Sequence, residues 1–145
     1  MPETSEKHAV DKTAIDEATA QFFSAFTNGG GVATDVDCLF ELFIPQAIIV
    51  KNTGDAPEVY DVAGFIEPRR ALLNGGSLVD FSEWETSEKT EIFGNIAHRF
   101  STYQKSWSAS GKVVTGAGAK TMQFVRTATG WRIAALAWDD ETPTA

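Results

Sequence analysis

The chain has 145 residues, a length that suits one domain burying roughly two thirds of its unfolded surface in a single core. Its formal net charge of −8 argues against a nucleic-acid backbone or an anionic membrane as the main partner, since either would repel it. The single cysteine, Cys38, excludes an intramolecular disulfide and a thiolate metal cluster; in the apolar run Cys38-Leu39-Phe40 a buried, inert thiol in a reducing compartment is expected.

Residues 1–10 are polar and predict a flexible tail that carries His8, ahead of one domain over 11–141 and a short tail over 142–145. Met1 is followed by Pro2-Glu3-Thr4-Ser5-Glu6 rather than by a basic start and an apolar core. No apolar stretch approaches the ~20 residues of a membrane span, so a cytoplasmic protein is expected. A helix is predicted from Asp11 or Thr13, with Asp16 and Glu17 near its start and Ile15, Ala18, Phe22, Ala25 and Phe26 as its buried stripe. Asn28-Gly29-Gly30-Gly31 stops it. A second short helix, capped by Thr34 with Asp37 three residues on, buries Cys38, Leu39, Leu42 and Phe43 before Pro45. A strand over Ala47 to Lys51 turns at Asn52 to Asp55 and pairs with a short strand around Glu58 to Tyr60. Asp61 caps a third helix holding Phe65, Ile66, Leu72 and Leu73, which Pro68 is expected to break or kink for want of an amide hydrogen. Asn74-Gly75-Gly76 ends it, and a long strand from about Leu78 to Phe93 leads through Gly94-Asn95 into a three-stranded meander.

The turns of that meander set its register. A two-residue loop at Ser110-Gly111 places His98 opposite Gln123 and Phe100 opposite Thr121. A three-residue loop at Ala128-Thr129-Gly130 sets Gln123 against Ala135 and Val125 against Ile133. One face then carries His98, Phe100, Thr121, Gln123, Val125, Trp131, Ile133 and Ala135, a polar trio on an apolar wall, which is the composition of a pocket lining. The other carries Arg99, Ser101, Tyr103, Lys120, Met122, Arg126, Arg132, Leu136 and Trp138, with too much large apolar area to stand bare in water.

Helices gathered in the first half and strands in the second define an α+β chain whose helices cover one face of the sheet. Over roughly residues 11–140 it resembles the nuclear transport factor 2-like superfamily, a cystatin-like cone of helices on a curved antiparallel sheet, and within it the polyketide cyclase-like (SnoaL-like) and steroid isomerase-like branches. The carriers are the element order, the run Leu39-Phe40-Glu41-Leu42-Phe43-Ile44-Pro45-Gln46-Ala47-Ile48-Ile49-Val50, the strand start Gly94-Asn95-Ile96-Ala97-His98, and the end Gly130-Trp131-Arg132-Ile133. The resemblance implies one internal pocket between sheet and helices, and dimerisation through the outer sheet face, here the face of Tyr103, Met122, Leu136 and Trp138. It departs from the steroid isomerase-like branch, which has a carboxylate base just after the first strand and a tyrosine on the first helix. This chain has Lys51 or Asn52 and Phe22, Phe23 and Phe26 there.

His98, the only histidine of the folded region, is the candidate acid-base group, because imidazole exchanges a proton near neutral pH. Its other reading is structural, bonded across the strands to Gln123. Phe22, Phe26, Tyr60, Phe65, Arg69, Phe100, Thr121, Gln123 and Trp131 are the expected ligand contacts, Arg69 standing at the pocket mouth where it can meet a ligand carboxylate or a surface glutamate. Glu83, Glu85, Glu88 and Glu91 read as solvated charges that block an edge strand, unless a bulge turns Glu83 or Glu85 inward. No phosphate loop, nucleophile elbow or metal-ligand spacing is present, and no cofactor or metal is expected. Three functions remain open at this level. They are a hydratase, dehydratase or cyclase using His98, a binder of an apolar small molecule, and a non-catalytic dimerising accessory protein.

Overall fold

The computed structural model describes residues 2–29, 34–76 and 78–141, the first four of them as backbone only. Helix α1 spans Pro2–Ser24, a 3-10 turn Val36–Cys38 runs into a single turn of helix, α2, at Leu39–Leu42, and α3 spans Val62–Asn74. The strands are β1 Phe43–Lys51, β2 Glu58–Tyr60, β3 Val79–Phe93, β4 Ile96–Ala109, β5 Lys112–Thr127 and β6 Gly130–Asp140. They form one sheet in the order β2-β1-β6-β5-β4-β3, in which β1 and β6 run parallel and every other pair antiparallel. The α+β cone expected from the sequence is the observed fold.

Several local expectations meet a different outcome. The polar start is helical from Pro2, earlier than the start at Asp11 or Thr13 expected for this helix: proline suits a first helical position, where its missing amide hydrogen has no helix partner to lose. Thr34 caps no helix; its backbone N–H donates to Asn74 Oδ1 at 3.0 Å, joining the loop to the end of α3. Phe43 already belongs to β1, and Pro45 lies where the pairing of β1 with β6 slips between Phe43 and Ile48. Asp61 does cap α3, accepting the Gly64 N–H at 2.7 Å, and the helix then runs through Pro68 to Asn74 without a break. The C-terminal tail over 142–145, with Gly30 and Gly31, lies outside the described residues.

The first hairpin register holds, with His98 opposite Gln123, Phe100 opposite Thr121 and Ala109 opposite Lys112 around the Ser110-Gly111 turn. The second holds only in part. Gln123 faces Ala135, but Phe124 rather than Val125 faces Ile133, which leaves Ala134 as the extra residue of a β-bulge. The bulge flips the parity of β6, so Trp131 and Ile133 point to the same side as Leu136 and Trp138.

That side is the one the helices cover. Tyr103, Met122, Phe124, Ile133 and Leu136 are buried there against Ile15, Phe22 and Phe23 of α1 and Phe65 and Ile66 of α3. Phe22 packs edge-on against Phe26 and Phe43, with ring centroids 5.2 Å and 6.2 Å apart. The face expected to stay outside and to form the dimer contact, that of Tyr103, Met122, Leu136 and Trp138, is thus the inner face, and the His98 face is the open one. The physical reason is pairing. Arg99, although 3 % exposed, is held by Glu85 (Nη2 to Oε1, 2.6 Å; Nε to Oε2, 3.0 Å) and by Asp16 of α1 (2.6 Å). Paired charges can be buried; the apparent polarity of a face therefore does not decide which side is solvated.

Asn28 closes the other end of the core. Buried at the end of the first helical segment, it donates from Nδ2 to the carbonyls of Leu73 (2.9 Å) and Leu78 (2.7 Å), and its Oδ1 accepts the Phe81 N–H at 2.6 Å. One side chain thereby fixes α3 and the start of β3 against α1.

Candidate functional site

A cavity of about 340 Å³ opens between α1, α3 and the covered face of the sheet. Phe22 and Phe26 of α1, Phe65 of α3, Phe81 of β3 and Trp138 of β6 make its apolar lining. The sequence builds this wall by helical spacing on one side, with Phe22 and Phe26 four residues apart, and by strand alternation on the other. The volume falls within the range of ordinary small-molecule sites.

The polar part of the wall comes from β3, β4, β5 and β6. Lys120 has a side chain 7 % exposed, and its Nζ lies 2.9 Å from Glu83 Oε1. It sits 4.3 Å from the centre of the Tyr103 ring and 5.0 Å from that of Trp138, where aromatic faces favour a cation. Burial pushes the Lys120 ammonium below the ordinary lysine range, and the Glu83 carboxylate opposes that push. Glu83 Oε1 is itself buried, with the Lys120 ammonium as its neighbour at 2.9 Å. Glu83 and Glu85 reach the inside through the bulged pairing of β3 with β4 between Glu85 and Ser87.

Beside this pair the Tyr103 hydroxyl donates to Asp140 Oδ1, and Lys105 Nζ meets Asp140 Oδ2 at 3.0 Å. Burial, and then the Asp140 carboxylate, drive Tyr103 far above the ordinary phenol range, so it stays a neutral O–H donor. Burial pulls the Asp140 pKa upward, but the Tyr103 and Lys105 bonds together hold it below the usual carboxylate range. A Cβ at position 118 would collide with the Tyr103 hydroxyl, so Gly118 is what lets the phenol lie across β5. On the helical side, the Arg69 guanidinium stacks 4.0 Å from the centre of the Phe65 ring and donates from Nη1 to the Phe65 carbonyl at 2.9 Å.

Of the residues expected from the sequence to meet a ligand, Phe22, Phe26, Tyr60, Phe65 and Arg69 line this cavity. Trp131 does not; its Nε1 donates to Asp11 Oδ1 at 3.2 Å, midway along α1. His98, Phe100, Thr121 and Gln123 are together as expected, but on the open face, where with Ile48, Val50 and Ala135 they border a depression of about 440 Å³. The His98 side chain is 60 % exposed and its Nε2 pairs with Glu91 Oε1 of β3 at 2.8 Å, not with Gln123. Cys38 is half-buried rather than buried, and burial followed by Asp35, Glu41 and Asp37 raises its thiol pKa, which favours the less reactive protonated form.

Glu83 turns inward through a bulge, the alternative the sequence left open; the residues missed are Lys120, Tyr103, Lys105 and Asp140. Lys120-Thr121-Met122-Gln123-Phe124 carried a signal: a lysine in strand alternation with Met122 and Phe124 shares their face, and once those are core it must be buried and paired.

Comparison with solved structures fixes the fold. The chain superposes on a nuclear transport factor 2-like protein with a cystatin-like fold from Novosphingobium aromaticivorans with a TM-score of 0.76, at 19 % identity over 99 % of this chain and 90 % of that one. A nuclear transport factor 2-like superfamily protein from Salmonella enterica gives 0.75 at 14 % identity over 95 % and 96 %. A protein of the same family from Streptomyces avermitilis, provisionally named a dehydratase, gives 0.71 at 14 % identity over 93 % and 99 %. The fold is therefore that of the nuclear transport factor 2-like superfamily. No family model matches the sequence, and no curated protein matches it. Among the described residues no helix is long and apolar enough to cross a membrane.

Proposed function

We propose that the protein is an enzyme of the dehydratase, hydratase or isomerase kind that moves a proton on an apolar carbonyl compound held in the helix-covered cavity. The observation that supports this reading most is the Lys120–Glu83 pair, two opposite charges buried side by side on a cavity wall. Glu83 takes the proton from the carbon next to the substrate carbonyl. Lys120 lies where its ammonium meets the oxygen that gains negative charge, and the low polarity of the aromatic wall strengthens that contact. This step is shared by isomerases and by dehydratases, and the Streptomyces avermitilis neighbour's name agrees with it. His98 takes no part, because it stands on the opposite side of the sheet.

The test is exchange of solvent deuterium into 2-tetralone, a small apolar ketone with acidic carbon-bound hydrogens, followed by NMR. Wild-type protein should accelerate the exchange. Glu83→Gln should remove about 10²–10⁴-fold of that acceleration, Lys120→Met should reduce it, and His98→Ala should leave it unchanged. Exchange that survives Glu83→Gln would refute the assignment.

The open face supports a second copy of the chain as its cover. Phe100 is 52 % exposed and Ile48 equally so, and between them Thr121, Gln123, Val50 and Ala135 carry no charge in a chain of net −8. Only a comparably uncharged surface covers this face without stranding an ion, and the same face of a second copy, related by a two-fold axis, is one. Phe100→Asp should convert a sedimenting dimer to monomer. With its protonated thiol, the protein suits a reducing compartment such as the cytoplasm.

A further inference from the structure

The cavity holds more positive than negative charge, against the sign of the whole chain. Lys51, Arg69, Lys105 and Lys120 line it, and the carboxylates among the lining residues are Glu83 and Asp140. These carboxylates are already engaged, Glu83 by Lys120 at 2.9 Å and Asp140 by Lys105 at 3.0 Å. Arg69 and Lys51 have no ion-pair partner among the described residues. The Glu58 carboxylate nearby is bonded to the Tyr60 hydroxyl at 2.7 Å, and it and Glu83 act on Arg69 only over longer range.

Arg69 is also held in a defined pose. Its plane lies among aromatic rings, 4.0 Å from the centre of Phe65, 5.4 Å from Trp138 and 5.6 Å from Tyr60. Among the described residues only Nη1 of its donors is spent, on the Phe65 carbonyl. The Nε and Nη2 edge makes no hydrogen bond among them, and that edge is the fork that grips a carboxylate through two parallel bonds. A half-buried, unpaired guanidinium costs free energy unless something of opposite charge meets it.

We infer that the cavity's ligand is an organic carboxylate, its acid group forked by Arg69 Nε and Nη2 near Lys51, with its apolar body among Phe22, Phe26, Phe65 and Trp138. The inference rests on the cavity reading proposed above and adds the charge of the ligand to it. In this arrangement the carboxylate anchors one end of the molecule while the reacting carbon lies toward Glu83 and Lys120.

The probe is N-phenyl-1-naphthylamine, a neutral dye that fluoresces in apolar pockets, displaced by either 2-naphthoate or its neutral analogue 2-naphthalenemethanol. In the wild type the naphthoate should compete at least about 10-fold better than the alcohol. Arg69→Gln should weaken the naphthoate by about 10–100-fold, the loss expected for charge-assisted hydrogen bonds, and leave dye and alcohol unchanged. Unchanged dye binding also shows that the variant keeps its cavity. Equal competition by the two compounds, or a naphthoate affinity indifferent to Arg69→Gln, would overturn the carboxylate while the cavity reading stood. Failure of the wild type to bind the dye or either competitor would overturn the cavity reading and the inference with it.

Discussion

On the covered face of the sheet the charged side chains come in opposed sets: Arg99 with Glu85 and Asp16, Lys120 with Glu83, Lys105 with Asp140, Arg126 with Asp11. On the open face His98, Thr121 and Gln123 stand among Ile48, Phe100 and Ala135, and among the described residues His98 alone of the trio has a side-chain partner, the exposed Glu91. A face rich in lysine, arginine and glutamate is thus the buried one, and a face of mostly neutral residues is the solvated one. The covered face tolerates its paired charges because these sit beside their counter-charges, whereas a mostly neutral face needs only a comparably neutral partner.

The comparison breaks most visibly at Arg99. Arg99→Ala should cost about 3–5 kcal/mol in urea unfolding, since it strands the Glu85 carboxylate against the covered face, while Asp16 keeps Lys12 as its partner. A loss below 1 kcal/mol would mean that the covered face does not depend on pairing. Acid should reveal the same dependence at smaller amplitude per group. The hydrogen bond from Arg126 holds Asp11 below the usual carboxylate range, and the Lys12 bond does the same for Glu88. For Asp16 burial works upward, and the Lys12 and Arg99 bonds outweigh it. A carboxyl with a lowered pKa in the folded state binds fewer protons there than in the unfolded chain. Its stabilisation is therefore full above the unfolded values near 4 and is lost as pH falls through the folded ones. Unfolding curves should accordingly be flat from about pH 7 to 5 and drop steeply below about pH 4; a rise in stability on acidification would contradict the pairings. The smallest effect belongs to the open face, where His98→Ala should change stability by no more than about 0.5 kcal/mol, because the ring is exposed and bonded only to Glu91.

Much of the fold could be read from local chemistry. The Ser110-Gly111 turn, where Ser110 and Gly111 both take positive φ, set the pairing of His98 with Gln123, and Asp61 announced its helix. Which face turned inward could not be read that way. The extra residue at Ala134 leaves no trace in composition, yet it moves Trp131 and Ile133 to the side of Leu136 and Trp138 and so changes the apparent apolar balance of both faces. The slip in β3 that carries Glu83 and Glu85 inward is equally silent. The aromatic half of the cavity was legible because Phe22, Phe26 and Phe65 follow helical spacing. The charged half was not, because its burial depends on partners 20 to 40 residues away in sequence, such as Lys120 with Glu83 and Tyr103 with Asp140.

The central claim is that ligands enter between the helices and the sheet, not on the open face. Two-dimensional NMR during a titration with N-phenyl-1-naphthylamine tests it most directly, using the Trp138 indole N–H as the reporter of the covered cavity and the His98 and Gln123 side chains as reporters of the open face. The account predicts that the Trp138 signal shifts in proportion to the dye bound while His98 and Gln123 stay where they are. Movement of His98 and Gln123 with Trp138 unperturbed would contradict it and return the site to the other side of the sheet.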